Sequence, residues 1–181
     1  GWDLRKALRL YWKYNPAFVE WIQSPLVYQT AGCFAERARA LLPTVYSCER
    51  GIYHYRSMAK TNYRGYLRGE WVQTKKYFYV LRPLLAARWL EQYKTAAPIE
   101  FDRLLTLLSG QNHVLDAIAV LLEQKRQSSE MTYAPPVAAL NSFIEAELNR
   151  TEAATPSKAR ATVTIDELNN LFRDVLTEIV W

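Results

Sequence analysis

The stretch KKYFYVLRPLLAARWL, residues 75–90, combines two lysines and two arginines with a long apolar run. At 100° per residue, a helix would place five of its side chains on one side: Lys75, Tyr79, Arg82, Ala86 and Trp89. Lys76 falls at the border. The opposite side would carry Tyr77, Leu81, Leu84, Leu85 and Arg88. We therefore predict an amphipathic helix whose leucines face the core and whose Lys/Tyr/Arg face is directed at a ligand or at solvent.

The helical pattern extends along nearly the whole chain, with apolar residues recurring at i, i+3, i+4 and i+7. Asp3 and Thr74 are candidate N-caps, and Pro16 suits a first helical turn. We expect Pro43 to end a short helix and Pro83 to kink the helix of residues 74–93. The sequence predicts an all-α fold of about eight helices, an irregular bundle forming one compact domain.

Charge is distributed unevenly along the chain, whose net charge is +5. Residues 1–94 hold 16 of the 23 Lys and Arg and 6 of the 18 Asp and Glu, which gives +10, whereas residues 95–181 carry −5. We distinguish a basic, aromatic-rich region, 1–94, from an acidic region, 95–181, with a polar linker near 151–164. A basic, aromatic region fits a polyanionic partner such as a nucleotide or nucleic acid. A solvated basic surface explains the same charges.

Several classes of protein are disfavoured by composition. The apolar runs are too short to span a bilayer, which takes roughly 18 residues, and no signal-peptide pattern is present. With 50% hydrophobic residues and only 6 Gly, the chain is not expected to be disordered. Two cysteines, Cys33 and Cys48, are too few for a disulfide scaffold, so we expect a cytoplasmic protein with no membrane partner.

The segment IYHYRSMAKTNYRGYL, residues 52–67, repeats the basic and aromatic theme. A lone histidine is more often structural than catalytic, so His54 is at most a hydrogen-bonding contact to substrate. Ser57 is a possible phosphate donor. Lys60 lies on the basic face of this predicted helix.

Metal chemistry has little support in the sequence. There is no zinc-ligand spacing, no Asp-x-Asp pair and no Gly-rich phosphate loop. Glu145 and Glu147 lie at i and i+2 on a predicted helix, point in different directions and are expected to be solvated. The sequence therefore predicts neither a catalytic residue nor a metal ligand in this chain.

The segments GWDLRKALRLYWKYNPAFVEWIQSPLVY, HYRSMAKTNYRGYL and KKYFYVLRPLLAARWLE, followed by PIEFDRLL and VLLEQKR, occur in this order. Together they resemble the predicted nucleotidyltransferases of the DNA polymerase β superfamily, also described as RNA-repair-pathway polymerase-β-like proteins. The resemblance covers about residues 1–150. It implies a family in which a mixed α/β catalytic domain precedes helices. That domain uses a Gly-Ser motif, an Asp-x-Asp pair and a third carboxylate to bind magnesium and a nucleoside triphosphate.

The catalytic motifs that the resemblance implies are missing from this sequence, which contains neither Gly-Ser nor Asp-x-Asp. The chain is therefore expected to correspond to the C-terminal helical half of the enzyme, adjoining an upstream catalytic domain. By itself it is expected to hold neither Mg²⁺ nor a nucleoside triphosphate as a cofactor, and to bind nucleotide or RNA only weakly. An apolar patch for domain docking or self-association is expected on the first helix, at Leu4, Leu8, Tyr11 and Trp12.

The resemblance also implies which side chains line the substrate cleft. The family's basic block corresponds to Lys75, Lys76, Tyr79 and Arg82, and its second block to His54, Tyr55, Ser57 and Lys60. These residues would contact the phosphates of the nucleotide and the acceptor, for which RNA is one candidate. Two alternatives stay open: a free-standing RNA- or nucleotide-binding module, and a protein-interaction scaffold whose basic region docks on an acidic partner.

Overall fold

The structure, a computed structural model, describes residues 2–30, 32–127, 133–152 and 165–178. Within these ranges the chain forms nine α-helices, one 3₁₀ turn (Thr106–Leu108) and a two-stranded ribbon, which confirms the predicted all-α class. The helices are α1 (Leu4–Trp12), α2 (Pro16–Ile22), α3 (Phe34–Val45), α4 (Cys48–Tyr66), α5 (Lys76–Tyr93), α6 (Phe101–Leu105), α7 (Asn112–Gln127), α8 (Ala138–Glu152) and α9 (Ile165–Glu178). Strand β1 (Val72–Gln73) pairs antiparallel with β2 (Tyr133–Ala134).

Helix α5 contains most of the opening stretch and lies in the larger of two apolar clusters. It packs against α4, α6 and α8, and nine of its 18 residues are buried. The predicted faces hold for most of this helix, since Leu81, Leu84 and Leu85 are buried whereas three residues of the polar face are not: Lys75, Tyr79 and Arg82. Ala86, placed on the polar face, is buried, because neighbouring helices cover α5 on more than one side.

The arginines of α5 are half-buried and paired with glutamates. A nitrogen of Arg82 lies 3.7 Å from Glu20 Oε2, and one of Arg88 lies 3.5 Å from Glu147 Oε1. Glu147 also accepts hydrogen bonds from Arg150. The prediction that Glu147 is solvated is wrong, since its side chain is only 9% exposed; Glu145 is exposed as predicted. Buried charges of this kind require partners, and these pairs supply them.

The second apolar cluster joins the two ends of the described chain. It is formed by α1, α2 and α3 together with Leu168, Leu171 and Val175 of α9. The Tyr11 hydroxyl is fully enclosed there and donates a hydrogen bond of 2.7 Å to the Ala38 carbonyl oxygen.

This packing corrects the expected apolar patch on α1. Tyr11 is buried, while Leu4 and Leu8 are half-buried against the second cluster, because α2 and α9 pack against α1. Trp12 is the one member of the four that is exposed, at 37%. Self-association through this patch stays a prediction, but the exposed apolar surface available for it is much smaller than expected.

Of three predicted helix boundaries, one agrees with the structure and two differ. Asp3 caps α1 by accepting a hydrogen bond of 2.8 Å from the Lys6 backbone N–H, as predicted. Pro43 does not end its helix, since α3 continues to Val45. Lys75, rather than Thr74, is the residue that precedes α5, and it provides no side-chain cap.

The remaining organisational predictions have different outcomes. Most of the predicted linker, 151–164, lies outside the described residues, and its first two residues end α8. The division of the chain near residue 94 by charge stays a prediction. Among the described helices, none has the length and apolar character required to cross a bilayer.

Candidate functional site

A cleft of about 350 Å³ lies where α2 faces α4 and α5, and Lys125 of α7 completes its wall. Pro16, the first residue of α2, brings this helix onto the cleft together with Glu20 one turn later. Much of the lining is apolar, including side chains from α2, α4 and α5: Pro16, Met58, Phe78 and Pro83. Three cations also line it: Lys75, Arg82 and Lys125. An apolar cleft with a few converging polar groups is the usual form of a small-molecule site.

Arg82 is held in the cleft by two partners. Its Nη1 donates a hydrogen bond of 2.6 Å to the Ile99 carbonyl oxygen, and its Nη2 lies 3.7 Å from the Glu20 carboxylate. The other oxygen of Glu20 accepts a hydrogen bond of 3.0 Å from the Tyr55 hydroxyl. Burial raises the pKa of Tyr55, and the negative charge of Glu20 raises it further. Tyr55 therefore remains a protonated donor. Arg82 and Tyr55 together offset the negative charge that Glu20 brings to the cleft.

Two lysines at or beside the cleft, Lys76 and Lys125, contact aromatic rings. Lys125 Nζ lies 5.3 Å from the centroid of the Phe78 ring. Lys76 Nζ lies 4.0 Å from the Tyr66 ring and 4.8 Å from the Tyr79 ring. Such cation–π contacts position an ammonium group while leaving its donors accessible. Tyr79, which lines the cleft, is 57% exposed and presents a ring to any ligand bound there.

The structure brings together four of the eight predicted site residues, since Tyr55, Lys75, Tyr79 and Arg82 all line this cleft. Lys76 adjoins it through its contact with the Tyr79 ring.

The other three predicted residues lie elsewhere on α4. Lys60 lines a separate groove between α4 and α8. His54 is exposed and meets Tyr53 edge-on, with 6.3 Å between ring centroids, and Ser57 is exposed. Neither His54 nor Ser57 lines the cleft, because successive helical residues point about 100° apart and Tyr55 and Met58 already face it. Ligand binding by all eight residues stays a prediction.

Two charged residues of the cleft were missed from the sequence. Glu20 is the one acidic residue in residues 4–35, and this isolation could have drawn attention to it. Lys125 belongs to α7, far along the chain from the basic region, and no local pattern marks it.

The described residues do not fit the magnesium ion that the resemblance implies. In the part of the chain that the structure describes, no three His, Cys, Asp or Glu side chains come together as a metal site needs. No chemical step through a metal is assigned to these residues.

The structure is that of a mainly helical protein with a partly apolar cleft lined by three cations. The sequence profile of the RNA repair pathway DNA polymerase beta family matches residues 1–174, and the chain belongs to that family. The expectation that the chain matches only the C-terminal half of the family is wrong, because the matched region is nearly the whole chain.

One relative in Bacillus subtilis (strain 168) bears the name "Uncharacterized protein YcgL". It is 39% identical over 180 residues, which are 99% of this chain and 69% of that protein. No solved structure is significantly similar to this chain.

Proposed function

We propose that the cleft binds the phosphate groups of a nucleoside triphosphate, so that this chain contributes substrate binding to a nucleotidyltransferase. One observation carries the proposal: Lys75, Arg82 and Lys125, which belong to two different helical segments, reach a single cleft of about 350 Å³. Membership of a polymerase-β-type family supports it, because such enzymes act on nucleoside triphosphates.

The three cations have different physical roles in this proposal. Arg82 is anchored by Ile99 and Glu20, so it offers a guanidinium of fixed orientation to a phosphate. Lys75 and Lys125 add the compact positive charges of their ammonium groups. Together they would neutralise phosphate charge during nucleotidyl transfer, which is the usual protein contribution to this chemistry.

The apolar part of the cleft supports the same proposal. Tyr79 offers an exposed ring and Met58 a half-exposed thioether side chain, at 57% and 44% exposure. A nucleobase can stack on such a ring, whereas a cleft for inorganic phosphate alone would need no apolar wall. The cleft therefore suits a ligand that has both phosphates and a flat apolar part.

The location and the partners of the protein belong to the proposal as well. Cys33 and Cys48 are both free thiols, which supports a cytoplasmic location.

A titration with ATP and with tripolyphosphate tests the proposal. A charge-assisted hydrogen bond contributes about 1.5–3 kcal/mol, and about 1.4 kcal/mol corresponds to tenfold in affinity. The double variant Lys75→Ala/Lys125→Ala should therefore bind ATP about tenfold more weakly or worse. Tripolyphosphate should bind more weakly than ATP and should depend on the same two lysines.

The matched control is Lys6→Ala/Lys13→Ala, which changes the net charge by the same amount as the cleft variant. Both lysines are exposed; Lys6 lies in α1 and Lys13 is the C-cap residue of that helix. Urea unfolding of both variants controls for stability. Equal affinities of the two variants for ATP, or no binding of ATP to the wild-type protein, would overturn the proposal.

A further inference from the structure

A row of four cations follows α4 at intervals of four residues: Arg56, Lys60, Arg64 and Arg68. The first three belong to the helix, and Arg68 follows its C-cap, Leu67. Residues four apart lie on the same side of a helix and about 6 Å apart along its axis. This spacing is of the same order as that of adjacent phosphates on one nucleic-acid strand.

The last three of these cations line a groove between α4 and α8, with a volume of about 320 Å³. The α8 side of the groove carries Glu145, Leu148 and Asn149. Lys60 follows Met58, a residue of the cleft, by two positions, so the two side chains point about 200° apart around α4. The groove and the nucleotide cleft therefore lie on opposite sides of this helix.

Charge in the groove is positive and poorly compensated. Within the described ranges, no carboxylate forms an ion pair with Arg64 or Arg68. Both guanidinium groups line the groove and are available to an anionic ligand. Arg56 differs, because it forms an ion pair with Glu91.

The acidic member of the groove is partly engaged by α4 itself. Glu145 accepts a hydrogen bond of 2.5 Å from the Tyr63 hydroxyl. Burial, followed by this hydrogen bond, raises the pKa of Tyr63 to about 12, so the hydroxyl stays a donor at neutral pH. One carboxylate against three cations leaves the groove with an excess of positive charge.

We propose that the groove between α4 and α8 binds the phosphate backbone of a single nucleic-acid strand. A single row of cations matches one backbone, and the guanidinium groups of Arg64 and Arg68 fit phosphate oxygens bidentately. The exposed lining has no aromatic ring for stacking, since Tyr63 is only 6% exposed. Contacts to phosphate position a strand without selecting its sequence, so the groove binds strands of any sequence. This role is separate from the nucleotide cleft and does not depend on it.

The test measures the affinity for a fluorescent oligouridylate as a function of salt concentration. For single strands the slope of log K against log[salt] is about −0.7 per neutralised phosphate. The double variant Arg64→Ala/Arg68→Ala should therefore reduce the magnitude of the slope by about 1.4. Because the substitution breaks no ion pair of the described residues, the midpoint of urea unfolding should stay close to that of the wild-type protein.

The matched control is Arg5→Ala/Arg9→Ala, which removes two exposed arginines at the same i, i+4 spacing on α1. It should leave the slope close to that of the wild-type protein. An equal reduction in both variants would show an effect of net charge alone and overturn the proposal, as would an unchanged slope in the α4 variant.

A polyglutamate peptide with the same number of charges distinguishes nucleic acid from any polyanion. The oligouridylate should bind at least about tenfold more tightly, because bidentate contacts to phosphate are fixed in geometry. Equal affinities for the two polymers, both dependent on Arg64 and Arg68, would overturn the assignment to a nucleic-acid strand.

Discussion

Buried tyrosines provide many of the polar contacts that join distant parts of this chain. The Tyr11 hydroxyl donates to the Ala38 carbonyl, and the Tyr55 hydroxyl donates to Glu20 in the cleft. The Tyr77 hydroxyl donates to Asn141 and accepts from the Val137 N–H, both at 2.8 Å. Each bond joins segments far apart in sequence. A one-dimensional pattern marks a tyrosine as aromatic but cannot show where its hydroxyl is directed.

Tyr46 is the exception, since its hydroxyl is buried and has no hydrogen-bond partner within the described part of the chain. Removing it should therefore remove a desolvated group without breaking a bond. We expect Tyr46→Phe to leave the free energy of unfolding unchanged or to raise it. Tyr11→Phe, which removes the hydrogen bond to the Ala38 carbonyl oxygen, should lower it by about 0.5–1.5 kcal/mol.

Urea unfolding followed by circular dichroism measures both tyrosine variants. Equal destabilisation by the two substitutions would contradict this account of the buried hydroxyls.

Helices α4 and α5 form the most extensive helix–helix contact among the described residues. A glycine in α4 allows neighbouring side chains to pack directly against the helix backbone. A Cβ atom added at Gly51 of α4 would lie 2.1 Å from the Tyr46 hydroxyl and 2.8 Å from Leu90 Cδ1 of α5. These atoms occupy the space of a methyl group. Glycine is therefore required at position 51 because of close packing and not because of backbone flexibility.

The two glycines of α4 provide a matched pair. Gly51→Ala should destabilise the protein by about 1–3 kcal/mol, because it overpacks a filled space. Gly65→Ala, at a position with nothing within 4 Å, should instead stabilise it by about 0.5–1 kcal/mol through the helix propensity of alanine. The free energy of unfolding in urea distinguishes the two. The same sign for both variants would contradict the packing at Gly51.

At the scale of helices, the sequence predicted the positions of most helices but not all of the residues that neighbouring helices bury. The caps at Asp3 and Asn15 are local, so their positions can be deduced from residue type. The burial of Ala86 on the polar face of α5 could not be deduced, because a helix covered on more than one side also buries residues outside its leucine face. The two-residue strands β1 and β2 are too short to show alternation.

The whole molecule is organised around two apolar clusters, and the second one depends on α9. Leu168, Leu171 and Val175 bring this helix onto α1 and α3, more than 120 residues earlier in the chain. Charge along the sequence divides the chain near residue 94, whereas packing joins its two ends. Half of the predicted site residues meet in one cleft, because α4 and α5 are neighbours; Glu20 and Lys125 enter it through contacts that sequence spacing does not encode.

Leu171→Ala tests the role of α9 at this scale. The substitution removes a side chain that is 2% exposed and should cost about 2–5 kcal/mol in the second cluster. Amides of α1 and α3 should then exchange hydrogen faster, while those of α4 and α5 keep more of their protection. Leu176→Ala, at a residue 49% exposed, is the control and should change little. Uniform loss of protection along the chain in hydrogen exchange would contradict two separable clusters.

The central claim is that a nucleoside triphosphate binds in the cleft between α2, α4, α5 and α7. Photocrosslinking with an azido derivative of ATP, followed by mass spectrometry of peptides, tests it most directly. The account predicts labels on the cleft wall, in the segments 16–20, 55–58 and 75–83 or at Lys125, and loss of labelling in the Lys75→Ala/Lys125→Ala variant. Labels confined to other surfaces, such as the groove of Lys60, Arg64 and Arg68, would contradict it.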